Sequence, residues 1–303
     1  MWSFAKSEAP GDWQLHETPT NENLRAVTHT ANGAAAVGDS GIVLGRSANA
    51  KWGHVVEHGP SADDSNLYDV AVTGDGRRLW FCGDDGALGY YDLPSGERHD
   101  ASEPFGLTES FRAITALGKR GSEKLLVGSS AGTVVSATAE GTTVRLAARL
   151  HPANASSVTA ALSRESGVGY ILTGSGGLHR TTAHQGWKQV GVPDASTDSW
   201  HAAARFADGL FVAGGSGFAA HYDPTDGTWT PYDLGSHTIY GVSGDANGAI
   251  AVGGSGTVHQ RTDKDWVKAA TPTGTRLLDA TVTPAPVVVG KDGVVLELAG
   301  GVW

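Results

Sequence analysis

The chain of 303 residues has a single cysteine, Cys82. That excludes an internal disulfide and any zinc site built on cysteine pairs. Cys82 stands in a slot filled elsewhere by Val37, Val127, Val252 and Val289, so it reads as a small buried hydrophobe. Long apolar runs are also missing. None approaches the roughly 20 residues of a membrane helix, so membrane insertion is not expected. Met1–Trp13 has no apolar stretch of the kind a secretion signal needs. A cytoplasmic protein is the expectation. Lysine is scarce, with 8 Lys against 21 Asp, and the formal net charge is −10. Nucleic acid is therefore not expected as a partner, because gripping phosphates takes clustered Lys and Arg. No stretch carries sustained helical periodicity. No Gly-x-Ser-x-Gly elbow offers a nucleophile, and no cofactor is implied. The triplet Asn154-Ala155-Ser156 reads as a chance match to a glycosylation site.

Glycine is abundant, at 43 residues, and it is patterned. Val37-Gly-Asp-Ser-Gly41 is followed by Cys82-Gly-Asp-Asp-Gly86 and Val127-Gly-Ser-Ser-Ala-Gly132. Then come Thr173-Gly-Ser-Gly-Gly177, Ala213-Gly-Gly-Ser-Gly217, Val252-Gly-Gly-Ser-Gly256 and Val289-Gly-Lys-Asp-Gly293. Copies about 40 residues apart indicate a repeat architecture. The sixth copy shows the unit. Ile239–Asp245, Ala249–Val252, Thr257–Thr262 and Trp266–Ala270 read as four short strands separated by turn residues. Four antiparallel strands per repeat is the blade of a β-propeller.

The expected fold is all-β: one seven-bladed β-propeller domain over 1–303. Its blades span approximately 24–58, 67–104, 111–152, 157–193, 200–234, 239–272 and 276–303. The last copy lacks a clear fourth strand. Residues 12–19, Asp-Trp-Gln-Leu-His-Glu-Thr-Pro, read like Asp265-Trp-Val-Lys-Ala-Ala-Thr-Pro272, so they are expected to complete the last blade as its outer strand. That joins the chain ends and removes an open seam. The tail Gly301-Val302-Trp303 competes for the same place. Trp13, Trp52, Trp187, Trp229, Trp266 and Trp303 recur near the starts of fourth strands, a register that implies packing between blades.

Two segments carry a resemblance. Gly177-Leu-His-Arg-Thr-Thr182 with Gly186-Trp187, and Gly256-Thr-Val-His-Gln-Arg-Thr-Asp263 with Trp266, resemble the turn of Asp-box propellers. The chain is similar to the WD40/YVTN/BNR-like repeat superfamily, and within it to the photosystem II assembly and stability factor group. Each motif departs from the family pattern: position 183 is Ala where the Asp would stand, and Asp223–Trp229 leans toward a kelch-like turn. The resemblance implies a non-enzymatic scaffold for assembly or binding. The Asp-rich, Lys-poor composition resembles, in milder form, that of proteins from salt-loving archaea.

In a propeller, the loops entering the first strands and those between second and third strands share one face. The second residues of the first strands are Arg25, Tyr68, Arg112, Thr159, His201, Tyr240 and Leu278. The second-to-third loops add Asp39, Asp84, Asp85, Lys291 and Asp292. Arg and Tyr dominate protein-binding hot spots, so this mouth is the candidate site and another protein the expected partner. Two alternatives use the same mouth. A glycan hydrolase or lyase would draw on Arg25, Arg112, Asp69 and Tyr68 or Tyr240. A small-anion site would use Arg25 and Arg112 as bidentate donors. His179, His221 and His259 recur at one third-strand position in successive blades, too far apart to share a metal, and Asp39, Asp84 and Asp85 read as solvated turn residues; no metal site is expected.

Overall fold

A computed structural model describes residues 12–152, 156–163, 167–182, 186–191, 199–206, 209–245, 248–262 and 265–299. They form seven four-stranded antiparallel sheets. In blades 1 to 6 the four strands lie side by side in chain order, innermost to outermost. The innermost strands are Leu24–Thr30, Leu67–Val72, Phe111–Leu117, Val158–Ser163, Trp200–Arg205, Ile239–Gly244 and Leu277–Thr281. Each touches the innermost strands of both neighbours, blade 7 meeting blade 1. The ring is therefore a closed seven-bladed propeller. Among the described residues no helix is long and apolar enough to cross a membrane.

The second strands explain the apolar runs of the sequence. Arg78–Gly83, Leu210–Gly214 and Ala249–Gly253 are buried along their whole length. A strand covered on both faces needs continuous apolar residues rather than alternation. Fourth strands lie at the rim, and Thr143–Leu150 and Thr228–Asp233 are mostly exposed. Cores fill the wedges between adjacent blades. One joins blades 2 and 3 through Trp80, Cys82, Tyr90, Phe111 and Val127, where Cys82 is fully buried.

Two glycines of the repeated motif have separate physical causes. The first ends the second strand. A Cβ at Gly38, Gly83, Gly214, Gly253 or Gly290 would collide with the carbonyl oxygen just before the innermost strand, that of Asn23, Asn66, Ser199, Thr238 or Arg276. The same carbonyl accepts the next amide of the motif in all seven blades, at 2.8–3.0 Å. The second glycine, at Gly41, Gly86, Gly217, Gly256 and Gly293, has φ between +66° and +71°, which L side chains rarely adopt. The motif is thus a tight turn tied to the entry of its own blade.

Blade 7 closes as expected. Trp13–His16 pairs with Val295–Leu298, Trp13 opposite Leu298 and His16 opposite Val295. Trp13, 4% exposed, packs among Ile250, Val258 and Leu277 between blades 6 and 7. Arg46 of blade 1 then holds Glu297 of blade 7 through two hydrogen bonds of 2.6 and 2.7 Å. Trp52 adds its indole N–H to the same carboxylate at 3.1 Å. Residues 301–303, Ala183 and Asn154-Ala155 lie outside the described residues.

Candidate functional site at the channel mouth

Each innermost strand begins with a β-bulge. The register against the second strand skips one residue in every blade: between Leu24 and Ala26, Leu67 and Asp69, Phe111 and Ala113, Val158 and Ala160, Trp200 and Ala202, Ile239 and Gly241, and Leu277 and Asp279. The skipped residues are Arg25, Tyr68, Arg112, Thr159, His201, Tyr240 and Leu278. A bulge leaves one residue unpaired and re-aims its side chain. Here all seven point the same way. Together with Ser130, Ser157 and Val158 they line one cavity of about 380 Å³ at the mouth of the channel.

Blades 1 to 3 build the charged side of this ring. Tyr68 lies between two guanidinium groups from the flanking blades, with Arg25 at 4.8 Å and Arg112 at 3.6 Å from its ring centre. Tyr68 donates its hydroxyl to Asp84 at 2.8 Å. Asn66 and Ser110 donate to the same carboxylate at 3.0 and 2.7 Å. Burial works against ionised Asp84, but these bonds outweigh it and its pKa is lowered. The Tyr68 phenol is raised, by burial first and then by its bond to Asp84. Arg25 is paired with Asp39, which Asn23 also holds at 2.6 Å. Blades 5 and 6 supply an aromatic side. The His201 and Tyr240 rings lie 5.4 Å apart, and Arg276 sits 4.9 Å from the Tyr240 ring centre. Burial lowers the His201 pKa.

The loop acids differ from the simple expectation of a mouth-lining set. Asp39 and Asp84 stand behind the ring and turn their oxygens onto Arg25, Tyr68 and their neighbours. Asp85, Lys291 and Asp292 do not line the mouth cavity. Asp85 and Asp292 occupy the left-handed centre of their turns, at φ 53° and 57°, which carries their exposed side chains away. The expectation that Arg25 and Arg112 offer free forks to an outside anion also changes. Arg25 is engaged by Asp39, and Arg112 stacks on Tyr68 with Asp84 at 3.8 Å. Among the described residues no group of three His, Cys, Asp or Glu side chains gathers where a metal could be held.

A second tier lies one residue deeper. Asp69 and Asp279 follow the bulges of blades 2 and 7 and, with the ring above, line a narrower cavity of about 170 Å³. Asp69 accepts the amide of Ile114 in blade 3 at 2.7 Å and that of Val70 at 2.8 Å. Asp279 accepts the amide of Val27 in blade 1 at 2.9 Å. Both carboxyls touch the lumen yet sit deep in the molecule. Burial pushes Asp69 up to about 7. Burial, with the Asp69 charge adding to it, pushes Asp279 up to about 8. Asp279 carries no repeat signal, because five of its six equivalents are the small residues Ala26, Ala113, Ala160, Ala202 and Gly241 and only Asp69 shares its chemistry. The signal available was an acid two residues into an apolar inner strand.

No protein-family model matches the chain, and no curated protein does. Solved structures match in fold. YCF48 from Cyanidioschyzon merolae superposes with a TM-score of 0.75 at 16% identity, covering 95% of this chain and 98% of that one. A structure of YCF48 bound to D1 peptide gives 0.75 at 15% identity, covering 96% and 98%. The WD40 repeats of RRP9 give 0.80 at 12% identity, covering 96% and 99%. Identities this low carry the fold, a β-propeller, and leave activity to the residues themselves.

Proposed function

We propose that this chain is a non-catalytic interaction module that takes a segment of another protein at the channel mouth. One observation carries the reading: seven bulged residues from seven blades converge on a single cavity of about 380 Å³. Rigid inner strands hold them, so little ordering is lost on binding. The Arg25–Tyr68–Arg112 stack and the His201–Tyr240 pair are the residue types that anchor protein interfaces. A propeller of the same fold has been solved with a peptide bound. The glycan-hydrolase alternative needs an activated tyrosine, and Tyr68 is shifted the other way, held protonated by burial and by Asp84.

The test is site-specific photocrosslinking in the native cell. A crosslinker at Leu278 or Thr159 should capture peptides of one partner, and a crosslinker at the rim residue Leu15 should not. The recovered segment, made synthetically, should bind the purified protein. Arg112→Ala and Tyr240→Ala should each weaken it by about 2 kcal/mol or more. Equal labelling from mouth and rim would sink the proposal.

A further inference from the structure

Blade 4 carries an electrostatic oddity on its outer half. Its third strand, Leu178–Thr182, and fourth strand, Gly186–Val190, set Arg180 directly opposite Lys188. Like charges facing across a ladder repel. The chain has 32 acidic residues against 22 Lys and Arg, so acidic neighbours are plentiful. Yet among the described residues neither cation has a carboxylate or hydrogen-bond partner. Both face a cavity of about 560 Å³, larger than the mouth.

The floor of that cavity comes from blade 5. Tyr222 lines it and is only 5% exposed, its ring held 4.8 Å from that of Trp229. Its hydroxyl makes no hydrogen bond among the described residues. Burial raises the Tyr222 phenol pKa, so the group is a proton donor, and it lies within the field of Arg180. Two carboxylates are near Tyr222, Asp223 and Asp226. Each is occupied by its own turn: Asp223 accepts the Thr225 amide at 2.7 Å, and Asp226 accepts the Thr228 amide and hydroxyl at 3.0 and 2.7 Å. Among the described residues neither forms an ion pair with Arg180 or Lys188, although both keep their charge and act on Tyr222.

From this arrangement we infer a binding site for a phosphate monoester in the cleft between blades 4 and 5, held by Arg180, Lys188 and Tyr222. Two cations match a group that carries about −1.5 to −2 near neutral pH. Arg180 supplies a planar fork for two oxygens, Lys188 a point charge, and Tyr222 a neutral donor. The cavity exceeds a bare phosphate and leaves space for an organic portion beside Val190 and the Tyr222 ring. The mouth does not compete for this chemistry, because Arg25 is already paired with Asp39 and Arg112 is stacked on Tyr68 beside Asp84. The site is independent of the protein-binding reading of the mouth.

Calorimetric titration and thermal shift test it, with glycerol 3-phosphate, inorganic phosphate and citrate as probes. Glycerol 3-phosphate should bind saturably and raise the melting temperature. Arg180→Ala/Lys188→Ala should weaken it by roughly tenfold or more, and Tyr222→Phe by a smaller factor. Without ligand, the double variant should melt no lower than wild type, since a repulsion has been removed; that also shows it is folded. Arg25→Ala/Arg112→Ala should leave the affinity unchanged. Unaltered affinity in the Arg180/Lys188 variant, loss in the Arg25/Arg112 variant instead, or no saturable binding of any probe would overturn the site. Citrate or inorganic phosphate binding as tightly as the ester would overturn the ligand class.

Discussion

Asp69 and Asp279 use charged-type side chains for a task that neutral ones could perform, and the consequence is a pH dependence. Each accepts a backbone amide from the next blade and so ties innermost strands together. Unfolded, both carboxyls titrate near 3.8; folded, they titrate at about 7 and about 8. The folded state therefore holds more protons than the unfolded one between those values. Stability conferred by the protonated form is complete below about pH 4 and is lost as pH rises through 7 to 8. The buried His179 and His259 and the half-buried His29 and His201 are shifted down and act in the opposite sense, losing stability as pH falls through the usual histidine range. A difference measurement separates the two. Urea denaturation of wild type and Asp69→Asn/Asp279→Asn at pH 5, 6.5 and 8 should show the variant gaining relative to wild type at each step upward. A constant difference across the three would mean that neither carboxyl titrates in that window.

At the level of the element, the repeated turn and the bulge it ties down are the working unit. Gly256→Ala places a Cβ against the Thr273 carbonyl at φ +66° and should cost at least about 1 kcal/mol. Gly274→Ala meets nothing within 4 Å and should be close to neutral, which makes it the control in the same denaturation series. Blades are also clamped from the far side. Arg78, 1% exposed, binds Glu123 at 2.9 Å and Asp92 at 3.2 Å, and Arg120 reaches Asp92 at 2.7 Å. Burial opposes the Asp92 charge, but Arg120 and Arg78 hold its pKa at about 2. Arg78→Ala strands the buried Glu123 carboxylate and leaves Asp92 to Arg120 alone, and should cost about 3–5 kcal/mol by chemical denaturation. The seven turns were legible in the sequence because glycine recurs in each, although Ser129 and Thr173 replace the first glycine in blades 3 and 4. The mouth ring was legible because it follows from counting two residues into each inner strand. The Arg78 clamp and the Arg180–Lys188 opposition were not. Both depend on strand register and on which blades touch, and neither repeats from copy to copy. Asp39 and Asp84 were visible as loop acids, but their turn back onto Arg25 and Tyr68 is set by side chains on another strand.

For the whole ring, closure rests on a strand that is first in the chain and last in the sheet. Trp13–His16 covers the edge of Val295–Leu298 and buries Trp13 between blades 6 and 7. Glu297 sits at the centre of this seam, held by Arg46 and Trp52 of blade 1. The contacts act on opposite sides of blade 7, so their losses should differ in kind. Trp13→Ala removes a large buried side chain and should lower stability by about 3–5 kcal/mol, with the ring still closed by its backbone pairing. Deleting residues 1–17 removes the pairing itself. The third strand of blade 7 then becomes an uncovered edge, with Val295, Leu296 and Leu298 released from burial. Such an edge recruits strands from other chains. The truncated protein should form oligomers by light scattering while wild type at equal concentration does not. A synthetic peptide of residues 12–19 added in excess should restore the wild-type mass and melting temperature. A truncated chain that stays at its original mass and melts as wild type would show that the seam is closed by blade-to-blade packing alone.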